Sequence, residues 1–311
     1  MKCLRAIVLF LFLTNLAEAA SLAVDAKTQF LEKDGRKIAY RSIGQGPPLI
    51  LGLRFRGIMD SWDPAFLDAL AKDFRVITFD WSGIGRSTGK RATTMKEMVK
   101  DFTDLAEGLK LKNPVIGGWS MGGMVAQETL AAHPGLFTHG ILIGTTPACA
   151  TCGVPTKEFL AAAGKTVNDL KDEEILFFYP PSKESMKAAQ ASHERIAQRT
   201  KDTSVMMPPE FFMDQQKAVA GYRENKTGVM DMHMKGKTPI LVIAGDHDNA
   251  CKPEDWYQFS GKMANTHLVV YPQTGHAPQH QYPELSAKYI RDFVQTTSSK
   301  ADSNPLKISG N

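Results

Sequence analysis

The chain has 311 residues, of which 43% are hydrophobic and 23% are charged, and its formal net charge is +4. This length and apolar content suit one large domain or two smaller ones. The charge is small and evenly spread, which argues against a basic surface for nucleic acid, so no nucleic-acid partner is predicted.

The N-terminus has the pattern of a signal peptide. Two basic residues, Lys2 and Arg5, precede an unbroken apolar run over residues 6–13, and an A-x-A cleavage site ends at Ala19. The run is shorter than the roughly 20 residues that span a bilayer. We therefore expect residues 1–19 to be cleaved and the mature protein to be exported, either periplasmic or secreted, without membrane association.

The first half of the mature chain alternates strand signals with helix signals. Residues 28–41 predict a hairpin, and a capping box at Thr94 and Glu97 predicts the start of a helix. Further strands are predicted at residues 49–53, 76–79, 114–117 and 140–143. This alternation predicts an α/β fold with a mostly parallel, doubly wound sheet, whose functional residues lie at the carboxyl ends of the strands.

The segment Gly118-Trp119-Ser120-Met121-Gly122 has the pattern G-x-S-x-G between a predicted strand and a predicted helix. A serine on such a turn has strained backbone dihedrals and an exposed hydroxyl, and the glycines avoid collisions with the neighbouring strand and helix. Ser120 is therefore the predicted nucleophile, and Trp119 is expected to bind substrate. A glycine-rich turn with an idle serine is the alternative interpretation.

Between residues 155 and 232, helix signals continue without strand signals. We interpret residues 155–232 as a helical cap inserted after the sixth strand, and residues 20–154 and 233–297 as the α/β core. Strands at 239–244 and 267–271 bring the total to about eight, and residues 298–311 are predicted to be a disordered tail. The underside of the cap, or its own interior, is predicted to contain Phe159, Leu160, Leu176, Phe177, Phe178, Tyr179, Phe211 and Phe212.

A pair of candidate acids and then a candidate base follow Ser120 along the chain. A serine hydroxyl needs a base to remove its proton, and the base needs a carboxylate that fixes its tautomer. Asp246 and Asp248 follow the seventh predicted strand, and His276 follows the eighth. His276 is the predicted base, as against an ordinary loop histidine, and the order alone leaves both carboxylates as candidate acids.

These features together resemble the α/β-hydrolase fold superfamily over residues 28–296. The matching motifs are D-x-x-G-x-G-x-S at residues 80–87, the Ser120 turn, G-x-x-D ending at Asp248, and Gly275-His276. The resemblance implies a carboxylesterase-like enzyme without cofactors, with Asp248 preferred to Asp246 as the acid.

The resemblance also implies an oxyanion hole formed by the backbone N–H groups of Met121 and Phe55. Relatives usually carry His-Gly just before the second donor, whereas this chain has Leu53-Arg54. Because Arg54 does not adopt glycine-only dihedrals cheaply, the loop is expected to differ. Arg54 and Arg56 near this loop could favour an anionic substrate or could be ordinary surface arginines.

Three cysteines remain after signal cleavage. Cys149 and Cys152 form a C-x-x-C pair, which suggests a redox motif as one alternative. The resemblance places the strands before Cys149 and Cys251 side by side, and so implies a disulfide of Cys251 with Cys149 or Cys152. A metal site at His276 and His280 is disfavoured, because Pro278 disrupts a helical histidine pair, so no metal is predicted.

The preferred hypothesis is an exported serine hydrolase that cleaves a small-molecule carboxylic ester or related acyl bond. One alternative is a cofactor-free perhydrolase or haloperoxidase-like enzyme that uses the same Ser120, His276 and Asp248. Another is a catalytically inactive hydrolase fold used for binding.

Overall fold

The computed structural model describes residues 21–302. The predicted signal peptide, residues 1–19, lies outside the described residues. Within them the strands are β1 (Gln29–Lys33), β2 (Arg36–Ile43), β3 (Pro48–Gly52), β4 (Arg75–Phe79), β5 (Val115–Trp119), β6 (Gly140–Ile143), β7 (Ile240–Gly245) and β8 (Thr266–Tyr271).

These strands form one sheet in the order β1-β2-β4-β3-β5-β6-β7-β8. Strands β3 to β8 pair in parallel, while β2 pairs antiparallel with both β1 and β4. The prediction of an α/β fold with a mostly parallel sheet of about eight strands is confirmed. As in other open parallel sheets, side chains at the carboxyl ends of neighbouring strands converge on one edge.

Helices cover both faces of this sheet. In chain order they are α1 (Leu22–Asp25), α2 (Pro64–Ala71), α3 (Met95–Gly108), α4 (Met121–Ala132), α5 (Lys157–Ala163), α6 (Leu170–Phe177), α7 (Lys183–Ile196), α8 (Phe212–Arg223), α9 (Val229–Lys235), α10 (Glu254–Tyr257), α11 (Pro278–Gln281) and α12 (Pro283–Asp302). The predicted capping box begins α3: Thr94 accepts from the N–H of Glu97, whose carboxylate accepts from the N–H of Thr94. Helix α12 continues to Asp302, so the first residues of the predicted tail are helical. Residues 303–311 lie outside the described part.

Alternate side chains of the central strands pack into two separate apolar layers, one on each face of the sheet. Ile50 and Ile116 belong to the layer beneath α3 and α4, and Leu51 and Val115 belong to the layer beneath α2 and α12. Because both faces are buried, the strands read as continuous apolar runs rather than as alternating patterns. The layers hold the sheet rigid, and its carboxyl edge provides a fixed frame for the candidate site.

Five helices, α5 to α9, lie between β6 and β7, where the sequence predicts helices without strands. We call residues 157–235 the inserted segment. Within residues 21–302, no helix combines the length and the apolar content needed to cross a bilayer.

The disulfide links Cys149 to Cys152, and Cys251 is a buried free thiol. The expected disulfide of Cys251 is therefore wrong, although β6 and β7 do lie side by side. The reason is local: the N–H of Cys152 donates to the carbonyl of Cys149 across a tight turn, which brings the two Cα atoms to 5.2 Å. Burial and the nearby carboxylates of Asp248 and Asp255 raise the pKa of the Cys251 thiol well above its usual value.

Candidate active site

Ser120 stands between β5 and α4 with backbone dihedrals that few residues other than glycine adopt, φ 56° and ψ −119°. Its N–H donates to the carbonyl of Ile143 at 2.9 Å. Its carbonyl accepts from the N–H of Gly123 at 2.9 Å and from the Thr145 hydroxyl at 2.8 Å. These bonds hold the turn in its strained shape, and the Ser120 hydroxyl makes no capping bond to the helix that follows.

The two glycines of the motif are required by close backbone contacts. A Cβ atom added to Gly118 would lie 2.2 Å from the backbone of Gly122, and one added to Gly122 would lie 2.1 Å from the carbonyl oxygen of Gly52. Both distances are far below van der Waals contact, and backbone atoms cannot move aside as a flexible side chain can. The sharp turn at Ser120 thus depends on the absence of side chains at these positions.

His276 and Asp248 form a buried pair at the same edge of the sheet. His276 Nδ1 and Asp248 Oδ2 are 2.8 Å apart, and both side chains are almost wholly shielded from solvent. The other carboxylate oxygen, Oδ1, accepts from the N–H groups of Ala250 and Cys251, each at 2.8 Å. The carboxylate is therefore fixed by its own turn and orients the imidazole.

Asp246 lies outside this arrangement. Its side chain is exposed and bonds to His247 Nδ1 at 2.6 Å and to the N–H of Thr274 at 3.1 Å. The hydrogen bond from His247 helps to lower the pKa of Asp246 despite an opposing effect of desolvation. The structure thus brings Asp248, and not Asp246, into contact with His276.

Two cavities meet at Ser120. The larger, of about 300 Å³, is lined mainly by apolar side chains, and we call it the apolar chamber. The smaller, of about 30 Å³, also contacts His276, and we call it the arginine pocket. Residues lining the chamber include Met121, Met124, Phe159, Leu160, Val219 and Cys251. Residues lining the pocket include Arg54, Arg56, Asn168, Leu176, Phe177 and His276. Ser120 and Phe55 border both cavities.

The two residues predicted to supply oxyanion donors, Phe55 and Met121, both line the apolar chamber together with Ser120. Met121 is the first residue of α4, where helix N–H groups lack intrahelical partners. The N–H of Phe55 has no backbone partner among the described residues, and its carbonyl accepts from Arg54 Nη1 at 2.9 Å. The Phe55 N–H is therefore available to a ligand beside the serine. The backbone strain in this loop lies at Arg56, whose φ of 61° is in the left-handed region.

Trp119, the residue expected to bind substrate, is fully buried and is not among the residues that line the two cavities. Its indole Nε1 donates to the carbonyl of His276 at 2.8 Å, and its ring packs against Phe177 and His280. Trp119 therefore positions the loop that carries the imidazole.

His280 is a core residue. Its Nε2 accepts from the N–H of Asp63 at 3.3 Å and its Nδ1 contacts the Ser192 hydroxyl at 3.3 Å. Burial lowers the pKa of His280 to about 4, so the ring is neutral at physiological pH. Within residues 21–302 no group of three or more His, Cys, Asp or Glu side chains is arranged to hold a metal ion.

Sequence reasoning found part of the cavity lining and missed the rest. Of the apolar residues predicted for the underside of the cap, Phe159, Leu160, Leu176 and Phe177 line the cavities. Asn168 and Gln216 were not predicted to lie there, and they come from the inserted segment. No sequence signal marks them, because the face that each short helix turns toward the sheet is set by tertiary packing.

A family model described as "alpha/beta hydrolase fold" matches residues 55–283. BpoC of Mycobacterium tuberculosis, named as a candidate non-heme bromoperoxidase, is 34% identical over 109 residues, or 35% of this chain and 42% of that protein. Proline iminopeptidase PfmaB of Pestalotiopsis fici is 24% identical over 86% of this chain and 99% of its own length.

Solved structures agree over most of the chain. An alpha/beta hydrolase fold protein from Chitinophaga pinensis superimposes with a TM-score of 0.77 at 24% identity, over 88% of this chain and 99% of that one. The enol-lactonase from Burkholderia xenovorans superimposes with a TM-score of 0.66 at 20% identity, over 86% of this chain and all of that one. At these identities the likeness concerns the fold.

Proposed function

Because this chain belongs to the alpha/beta hydrolase fold family, we propose that it is a serine hydrolase that cleaves a carboxylic ester or a related acyl bond. The observation that carries the proposal is the buried contact between His276 Nδ1 and Asp248 Oδ2 at 2.8 Å, with His276 and Ser120 lining one cavity. A nucleophile, a base and an orienting acid are the groups that acyl transfer through a covalent intermediate requires.

In the proposed reaction, the Ser120 oxygen attacks the substrate carbonyl and its proton passes to His276 Nε2. Asp248 holds Nδ1–H and stabilises the imidazolium that forms. The N–H groups of Phe55 and Met121 stabilise the oxyanion of the tetrahedral intermediate. His276 then protonates the departing alcohol, and a water molecule, deprotonated by His276, releases the acid and restores Ser120.

The inserted segment supplies much of the lining of both cavities and is proposed to act as a cap over the substrate. Phe159, Leu160 and Ala163 of α5 border the apolar chamber, as do Val219 and Ala220 of α8. A chamber of about 300 Å³ that is mostly apolar suits a hydrocarbon group on one side of the scissile bond.

A fluorophosphonate probe and a panel of p-nitrophenyl esters test the proposal. We expect covalent labelling of the folded protein at Ser120, located by peptide mass spectrometry, and ester hydrolysis that disappears in Ser120→Ala. Ser82→Ala, at a buried serine that bonds to Asp101, is the matched control for loss of a hydroxyl. Absence of labelling in folded protein would contradict the proposal and favour a binding role.

The partial match to BpoC supports a second candidate, a cofactor-free haloperoxidase-like activity at the same three residues. In that reaction peroxide would replace water in opening the acyl-enzyme and would yield a peracid, which oxidises halide. Addition of acetate, peroxide and bromide with a halogenation indicator tests it. Indicator turnover that requires Ser120 and exceeds the peracid formed without enzyme would support this activity.

Export is proposed from residues 1–19, whose basic start, apolar run and A-x-A site have the signal-peptide pattern. The Cys149–Cys152 disulfide is compatible with an oxidising compartment. Expression of the full chain in a bacterial host should yield periplasmic protein that begins at Ala20. Intact protein that retains Met1 in the cytoplasm would contradict export.

A further inference from the structure

Arg54 lies in the cavity that also contains Ser120 and His276, and it forms no salt bridge with a carboxylate among the described residues. The residue lines the arginine pocket together with Phe55, Asn168 and Phe177. Its Nη1 donates to the carbonyl of Phe55, while its Nε is buried without a hydrogen-bond partner among the described residues. A buried guanidinium nitrogen without an acceptor is costly unless a ligand supplies one.

Aromatic rings pack against the Arg54 guanidinium and fix its position without pairing with its charge. The guanidinium carbon lies 4.6 Å from the centre of the Phe177 ring and 5.2 Å from that of Trp119. Stacking on aromatic faces leaves the edge of a guanidinium available for in-plane hydrogen bonds. The carboxylate that contributes most to its electrostatics is Glu173, which is bonded to His193 Nδ1 at 2.8 Å and forms no ion pair with Arg54.

Arg56, the second arginine of the pocket, has a structural role that Arg54 lacks. Its two terminal nitrogens donate to the carbonyls of Ala163 and Thr166, at 2.5 Å and 3.0 Å. Its own N–H donates to the side chain of Gln215 at 2.7 Å. Both terminal nitrogens of Arg56 are thus bonded to the inserted segment, although its Nε, like that of Arg54, has no partner among the described residues. Arg54 makes no such bond to the inserted segment, and its one hydrogen bond given by the structure is to the neighbouring carbonyl of Phe55.

We infer that the substrate carries a carboxylate, which Arg54 binds in the arginine pocket while Ser120 attacks a nearby acyl carbonyl and an apolar group fills the chamber. This inference names the substrate class and rests on the proposed function. The pocket, at about 30 Å³, admits a group of a few heavy atoms, which matches a carboxylate. Burial lowers the pKa of Arg54 to about 10, so the guanidinium remains charged at neutral pH.

The test is a binding measurement with two esters that differ in one charge. Monobenzyl glutarate has a free carboxylate, and benzyl methyl glutarate is its neutral counterpart. Calorimetric titration of the Ser120→Ala protein avoids turnover. We expect the anionic ester to bind roughly 10- to 100-fold more tightly, as hydrogen bonds to charged groups contribute about 1.5–3 kcal/mol.

The preference should disappear in Ser120→Ala with Arg54→Gln, and be partly retained with Arg54→Lys, which keeps the charge but not the planar fork. Ser120→Ala with Arg291→Gln, which removes a surface charge that pairs with Asp292, should keep the preference. Equal binding of the two esters, including failure of both to bind, or a preference that survives Arg54→Gln, would overturn the inference.

Failure of the proposed function would give a different result. If the fluorophosphonate does not label Ser120 but the Arg54-dependent preference is measured, the site binds carboxylates without acting as a serine hydrolase. If Ser120 is labelled and both esters bind equally, the hydrolase proposal stands and the substrate class is wrong.

Discussion

At Gly122 the packing of α4 against the end of β3 leaves no space for a side chain. A Cβ there would lie 2.1 Å from the carbonyl oxygen of Gly52. Gly221, on α8, has no atom within 4 Å of the position that a Cβ would take, and its φ is not positive. These two glycines therefore allow the cost of steric conflict to be separated from the general effect of glycine on backbone entropy.

We expect Gly122→Ala to lower the free energy of unfolding by at least about 2 kcal/mol, since overpacking against backbone forces the turn at Ser120 to shift. Gly221→Ala should be neutral or stabilising by up to about 1 kcal/mol, as alanine is the better helix former. Urea denaturation measures both. A tolerated Gly122→Ala would show that the turn can open without cost.

Removing the charge of Asp248 should reduce kcat strongly, whereas removing that of Asp246 should leave kcat nearly unchanged. Asp248→Asn should reduce kcat for p-nitrophenyl esters by about 10³- to 10⁴-fold, because an amide no longer accepts from His276 Nδ1 in the required tautomer. Asp246→Asn, at the exposed residue bonded to His247, should change kcat by less than about 3-fold. Equal losses in the two variants would contradict the assignment of the acid.

At the scale of single elements, Arg56 ties the loop after β3 to the inserted segment. The guanidinium donates to the carbonyl of Ala163, in the last turn of α5, and to that of Thr166, just beyond this helix. It also stacks 4.0 Å from the centre of the Phe212 ring at the start of α8. One side chain of the core thus holds two helices that line the chamber. The Arg56 side chain is buried and the two bonds are partly buried, so water replaces them only in part when they are lost.

We expect Arg56→Gln to reduce the free energy of unfolding by about 2–3 kcal/mol and to speed amide hydrogen exchange in α5 and α8. Lys157→Gln, at an exposed residue on α5, is the control and should leave exchange unchanged. Exchange measured by mass spectrometry on peptides of both helices checks this. If α3 and α5 change equally, the effect is global, and Arg56 does not specifically hold the segment.

The Cys149–Cys152 link closes a very short loop, so it constrains the unfolded chain little. Reduction should lower the free energy of unfolding by no more than about 2 kcal/mol by the loop-entropy relation. Urea denaturation with and without reductant measures this. Non-reducing peptide mapping should find the Cys149–Cys152 peptide and an unmodified Cys251. Recovery of a Cys251 disulfide in folded protein would contradict the pairing.

The strands could be predicted from their apolar runs. Ser120, Asp248 and His276 could be predicted because each of them follows such a run at a glycine or a turn residue. The cysteine pairing could not, since it depends on a local turn at Cys149. The position of Trp119 could not either: β5 is buried on both faces, so its apolar run does not indicate which residue reaches a cavity. The short helices α5, α6 and α9 are stabilised by packing more than by local propensity.

At the scale of the whole molecule, two buried histidines make the stability of the fold depend on pH. Burial lowers the pKa of both His280 and His233 to about 4, from an unperturbed value of 6.5. Between pH 6.5 and pH 4 the unfolded chain binds protons that the native state excludes. The part of the native stability that depends on these two neutral histidines is therefore fully present above about pH 6.5 and is lost as the pH decreases toward 4.

Each histidine should contribute up to about 3 kcal/mol to this loss. In His280→Gln the side-chain oxygen can still accept from the N–H of Asp63, but the contribution of His280 to the pH dependence is removed. The unfolding free energy of this variant should therefore decrease less steeply from pH 6.5 to 4. Urea denaturation across this range measures the difference. A slope identical to that of the parent protein would show that His280 is protonated in the native state.

Ile143 of β6 and Ile243 of β7 are paired neighbours in the sheet, although 99 residues separate them along the chain. The chain between them leaves the scaffold and returns at adjoining points. Helices α7 and α9 of this segment pack against α11 and α4 of the core, so a replacement has to preserve those two contacts. Ser120, Asp248, His276 and Arg54 all lie outside this part of the chain, which nevertheless lines much of both cavities, so grafting a foreign segment here is a direct route to altered substrate range.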